Sequence, residues 1–201
     1  MIIANNCIAA DLYYSNKKKY DHPFMWCVLF HNDILNLIRY FDELNYDNYD
    51  LIKNEHINSA YNIIIDKKVK VQYLHYLKNE NCKVPTKKKD RFNVERNIEY
   101  DKIERYIIEK YNKRKIIDKK IKPFIFIHLN KNTWQNDITE NNIQDIIDEC
   151  KLKNFPLVIF GKCNLKPTAG VLHINIDFKY PFEVRDFVNK NMKDLLRIAL
   201  E

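Results

Sequence analysis

Apolar and polar positions alternate along the chain in blocks that predict both strands and helices. Ile2-Ile3-Ala4 is a short apolar run of the kind buried in a first strand, and Ile8 to Tyr14 is Ala-rich and better suited to a helix. Cys7 then falls at a strand-to-helix turn. Pro23 to Phe30 predicts a buried segment, and Asp33 is placed to cap a helix whose Ile34, Leu37, Ile38, Phe41 and Leu44 keep helical spacing. Tyr61 to Ile65 and Val69 to Tyr76 read as two strands joined by Asp66-Lys67-Lys68, a hairpin. Apolar positions from Tyr100 to Ile117 recur at helical spacing. Phe124 to Ile127, Phe155 to Phe160 and Val171 to Ile176 predict further strands, separated by a helix that Thr139 can cap and followed by one that Pro181 opens. This order predicts one three-layer α/β domain over 1–201, a mixed and mostly parallel sheet flanked by helices.

Charge changes the picture locally. The 201 residues carry a net +7, and the stretch from Lys83 to Lys122 alone carries +8, leaving −1 elsewhere. The expected result is a basic loop-and-helix insertion near 78–122, either a solvated face or a surface for an anionic small molecule, glycan or membrane. Nothing resembles a helix-turn-helix, an RNA-binding aromatic motif or a zinc finger, so nucleic acid is not the expected partner. Five cysteines spaced 20, 55, 68 and 13 residues apart form no close ligand pair, and no metal site is expected. The absence of a signal-like start or a long apolar run leads to the expectation of a cytoplasmic protein without a transmembrane segment.

Cys7 is the sharpest chemical feature. A thiol at a helix N-terminus feels the positive end of the helix dipole, which favours the thiolate, and nearby N–H groups can hold an oxyanion. A histidine must then move the proton. His75 shares a strand face with Val69, Val71 and Tyr73 and is the leading candidate; His22 follows the Cys7 helix and is the second. Asn5 and Asn6 can orient a histidine or donate to an oxyanion, and Arg114 offers a fork for phosphate or carboxylate.

Asn5-Asn6-Cys7, Pro23-Phe24, and Leu74-His75-Tyr76, in that order, resemble the bacterial domain of unknown function 1919, whose members are labelled exopolysaccharide biosynthesis proteins, although the insertion from Lys78 to Asn97 stretches the spacing after them. Ile8-Ala9-Ala10 and Tyr111-Asn112-Lys113-Arg114 depart from that family's Gly-rich and Trp-x-x-Arg patterns. Pro23-Phe24-Met25-Trp26 is similar to a Pro-Phe-Asp-Trp element of papain-like cysteine peptidases, with Met25 in place of Asp. The resemblance implies surface-polysaccharide biosynthesis. Joined to the residues, it gives an expected acyl transferase or hydrolase with Cys7, His75 and Asn6 at the reacting centre. Asn5, His22 and Arg114 would stand at the substrate, and a coenzyme A thioester is a possible donor. A non-catalytic module for an anionic glycan, lipid phosphate or protein, and a papain-like peptidase or amidase, are the alternatives.

Overall fold

The computed structural model describes residues 1–18, 22–25, 27–53, 61–73, 100–115, 117–129 and 137–200. His75, Cys82 and most of the basic insertion lie outside them. The chain is a mixed α/β fold, as its alternating pattern predicts, but the hairpin strands form a second sheet instead of joining the first.

The first sheet consists of β1 (Ile2–Ala4), β6 (Phe124–His128), β7 (Leu157–Phe160) and β8 (Val171–Ile174), all parallel in that spatial order. Both faces of β1, β6 and β7 are covered, which is why these strands read as largely apolar runs, whereas the edge strand β8 is only partly buried. Ile3, Ile125, Ile127 and Ile159 point to one side, while Ile2, Ala4, Phe126, Val158 and Phe160 point to the other. The second side receives α1 (Ile8–Ser15), α5 (Pro181–Asn191) and α6 (Lys193–Leu200).

The first side meets α4 (Ile143–Lys153), α2 (His31–Tyr40) and the antiparallel sheet. That sheet runs in the order β2 (Cys27–Val28), β5 (Val69–Tyr73), β4 (Tyr61–Ile65) and β3 (Tyr49–Lys53). Its inner face is Tyr61, Ile63, Ile65, Val69 and Val71, with Ile64 and Lys70 on the alternate face. α3 (Tyr100–Arg114) is anchored by buried Ile107 and Tyr111, and the Tyr111 hydroxyl donates to the Tyr46 carbonyl at 3.0 Å.

Several boundaries differ for local reasons. Asp33 does not cap α2. It lies inside the first turn, and its carboxylate accepts the Lys70 N–H at 3.0 Å, tying the helix to β5. Thr139 lies one turn ahead of α4, where its N–H donates to the Asn142 side-chain oxygen at 2.7 Å. The last helix is two helices, interrupted at Met192. β3 is absent from the sequence reading because Tyr49-Asp50-Leu51-Ile52-Lys53 is a polar, half-exposed edge strand. Among the described residues no helix is long and apolar enough to cross a membrane.

Candidate functional site at the C-terminal edge of the parallel sheet

Side chains with chemistry collect where the parallel strands end, the edge at which open α/β sheets receive ligands. Asn5 directly follows β1 and is fully buried. Its Oδ1 accepts the His128 N–H at 3.0 Å and its Nδ2 donates to the His128 carbonyl at 3.1 Å, so its amide continues the β1–β6 ladder by one step. Asn6 faces two ways: its Oδ1 accepts the Ile8 N–H at 3.1 Å, satisfying a first-turn donor of α1, and its Nδ2 lies 3.4 Å from His128 Nδ1.

These contacts assign the His128 tautomer. Nε2 lies 3.0 Å from the Phe178 carbonyl, which can only accept, so the proton is on Nε2 and Nδ1 accepts from Asn6. Burial lowers the pKa of this ring, opposed by the Phe178 carbonyl. The two asparagines thus orient a histidine, as residues of their type can, but that histidine is His128 and both of its nitrogens are engaged.

Cys7 occupies the N-cap of α1 with helical backbone angles and no side-chain cap bond. Burial pushes its thiol up to about 12, with a smaller contribution from Asp11. The desolvation cost outweighs the helix-end effect invoked from sequence, so Cys7 is a neutral thiol at neutral pH. Cys27, close enough to interact with Cys7, is pushed up in the same direction, again chiefly by burial.

His22 and Arg114 do not join this group. His22 is buried at the other end of β1, edge-on to Tyr13 at 5.6 Å between centroids. Burial lowers its pKa to about 3, with further lowering from the Met1 amino group and Arg114 and opposition from the Ile2 backbone. The six residues singled out from sequence therefore divide. Asn5, Asn6 and Cys7 stand at the C-terminal edge, His22 lies beside β1's first residues within the field of Arg114, and His75 is outside the described residues.

A thiol–imidazole contact that sequence reasoning missed lies on the same edge. Cys163 Sγ is 3.3 Å from His173 Nε2, and the Gly161 carbonyl is 2.9 Å from that nitrogen. Gly161 makes the arrangement possible. Its φ is +139°, and a Cβ there would stand 2.7 Å from Leu129 Cβ and 2.8 Å from the Leu129 oxygen. Only glycine lets the chain turn out of β7 this tightly against the end of β6 and bring Cys163 back to β8. His173 pairs with Ile159 in the β7–β8 register, one position before the edge, and is half-buried; Cys163 is buried. The one available signal was weak: a Gly-x-Cys at the end of an apolar strand, with a histidine in the following strand.

Exposed aromatic rings complete the edge. Tyr180 and Phe182, on the passage from β8 into α5, stack at 5.2 Å with 8° between their planes, and each is about half exposed. The Glu183 carboxylate holds this turn by accepting the Lys179 and Tyr180 N–H groups at 2.6 and 3.1 Å. No group of three or more metal-ligating side chains occurs among the described residues. No protein-family model, curated protein or solved structure matches the chain.

Proposed function

We propose that the protein is a cysteine-dependent acyl transferase or hydrolase acting on a glycan intermediate of surface-polysaccharide assembly, with Cys163 as nucleophile and His173 as its proton partner. The carrying observation is the 3.3 Å contact between Sγ and Nε2 at the ligand-receiving edge of the sheet. The Gly161 carbonyl can only accept and so holds the resting ring's proton on Nε2; when the thiol proton passes through solvent to Nδ1, the imidazolium that forms presents its Nε2–H to the thiolate. The thiolate attacks the carbonyl carbon of an activated acyl group, such as a coenzyme A thioester. The S–C bond forms, and the departing thiolate takes the Nε2 proton. A glycan hydroxyl or water then attacks the acyl-enzyme, returning its proton through the same nitrogen. The stacked Tyr180 and Phe182 rings offer an apolar platform of the kind that sugar ring faces pack on, and the resemblance to the exopolysaccharide family supplies the pathway context.

Alkylation by iodoacetamide, read at each cysteine by mass spectrometry on the folded protein, tests the pair. Cys163 is expected to react faster than Cys7 by about ten-fold or more, and His173→Gln, which can still donate to Gly161, is expected to remove that advantage. Thioester consumption should be lost in Cys163→Ser and kept in Cys7→Ala. Equal reactivity of Cys163 and Cys7 would overturn the assignment. A peptidase or amidase would use the same pair and is separated by turnover of peptide amides in place of thioesters. Cys7 stands in a second reading, with His75, outside the described residues, as its proton partner. Loss of thioester turnover in Cys7→Ala alone would select that reading.

A further inference from the structure

At the opposite edge of the parallel sheet, the C-terminal end of α1 and the α5–α6 junction enclose a groove of about 570 Å³. Lys18 stands on one side, Lys193 and Arg197 stand one helical turn apart on the other, and among the described residues no acidic side chain lines it. The cations come from parts of the chain outside the basic insertion. Asp194 is 3.8 Å from Arg197, and both side chains are largely solvated, so this pair neutralises little. Apolar Leu196 forms part of the lining.

The walls are fixed relative to one another. Asn16 Nδ2 donates to Asn189 Oδ1 at 2.9 Å, and Asn189 Nδ2 donates to Ser15 Oγ at 2.9 Å, joining α1 to α5. Asn16 Nδ2 also donates to the Leu12 carbonyl at 2.8 Å, so this nitrogen ties the end of α1 to its own last turn as well as to α5. The cations thus project from a preorganised frame, which lowers the ordering cost of binding. A second cavity of about 500 Å³ shares Ser15 and Lys18 and adds Lys17 and the Tyr14 ring, which is 73% exposed. The two cavities together present four cations and then an exposed aromatic face.

We propose that this groove binds a diphosphate ester, with the diphosphate between Lys18, Lys193 and Arg197 and the attached sugar or nucleoside ring against Tyr14. Two facing cationic walls match a doubly charged, extended anion better than a single phosphate, and Arg197 can engage phosphate oxygens in a bidentate fork. The site lies at the other edge of the sheet from Cys163 and stands independently of the acyl-transfer reading.

Calorimetric titration with uridine diphosphate, inorganic pyrophosphate and inorganic phosphate tests it, each at one fixed ionic strength. The expected order of affinity is uridine diphosphate, then pyrophosphate, then phosphate, and Lys193→Glu with Arg197→Gln should weaken the first by about ten-fold or more. Both positions are exposed, and an acidic residue in the first turn of α6 suits the helix dipole, so folding of the variant is not at risk. Lys113→Glu with Lys120→Glu, on the insertion side, should leave binding unchanged. Tyr14→Ala should lower uridine diphosphate affinity toward that of pyrophosphate. Phosphatidylcholine vesicles doped with a polyprenyl diphosphate distinguish a lipid-linked source: retention on them but not on undoped vesicles, lost in the groove variant, assigns that source. Absence of saturable binding to every diphosphate probe, or equal loss in the Lys113/Lys120 variant, would overturn the proposal. A groove variant that loses binding but keeps Cys163 alkylation separates this site from the thiol pair.

Discussion

Histidines show how burial redirects a residue that sequence reading treats as a candidate base. His22 is enclosed by Tyr13 and Phe24, and the Ile2 backbone offsets only part of the burial cost of charging its ring. Its folded pKa of about 3 lies well below the reference of about 6.5. Above pH 7 the ring is neutral in both folded and unfolded chains and adds no pH dependence. As pH falls below about 6.5 the unfolded chain takes up a proton that the folded chain refuses, so stability is lost at up to about 1.4 kcal/mol per pH unit. Between pH 7 and pH 5 this amounts to about 2 kcal/mol from His22, and the lowered pKa of His128 acts in the same direction. His22→Leu is expected to flatten the profile by about that amount in urea unfolding at the two pH values. An unchanged difference between pH 7 and pH 5 in the variant would show that His22 is protonated within the fold.

At the scale of elements, local chemistry decides what a one-dimensional pattern can reveal. The hairpin between β4 and β5 is legible because Tyr61 to Ile65 and Val69 to Tyr73 carry period-two patterns around a polar break. Asp66 and Lys67 adopt φ of +50° and +55°, the left-handed pair of a primed turn, closed by the Lys68 N–H on the Ile65 carbonyl at 2.9 Å. Lys67 pays for that conformation with a Cβ that glycine lacks, and its side chain is exposed. Lys67→Gly is therefore expected to stabilise the protein by about 0.5–1 kcal/mol, read as a higher urea midpoint at unchanged m-value. A lower midpoint would mean that the entropy gained by the unfolded chain outweighs the relieved strain. The helices were legible in their apolar faces but less so in their first turns: the Asp33 carboxylate bonds outside α2, while Thr139 leads into α4 a turn early, its carbonyl accepting the Ile143 N–H at 3.0 Å and its Oγ1 the Asn141 N–H at 3.3 Å. The Cys163–His173 contact was hidden for a different reason. It depends on the tight exit of Gly161 from β7 and on a parallel register, neither of which leaves a periodic trace.

Across the whole molecule, charge and core follow different rules. Summing charge along the chain pointed to the segment from Lys83 to Lys122, yet two of its described cations are used internally: Lys115 pairs with Asp47 at 2.6 Å, and Lys119 donates to the Asp42 and Leu44 carbonyls. The cationic groove instead gathers Lys18, Lys193 and Arg197 from distant parts of the chain, which no local sum could reveal. The core is likewise a property of the assembled fold. One cluster joins Ile3, Ile125 and Ile127 of the parallel sheet to Ile63, Ile65 and Val71 of the antiparallel sheet through α2 and α4. Two sheets that share buried side chains should unfold together. Ile65→Ala removes apolar volume from the antiparallel side at a cost of about 2–5 kcal/mol. If the core is one cooperative unit, hydrogen exchange at the Phe126 and Ile127 amides, on the far sheet, should lose protection by that same free energy, because those amides exchange through global opening. Loss of protection confined to β4 and β5, with Phe126 and Ile127 unchanged, would show instead that the antiparallel sheet opens as a separate unit while the edge bearing Cys163 and His173 stays folded.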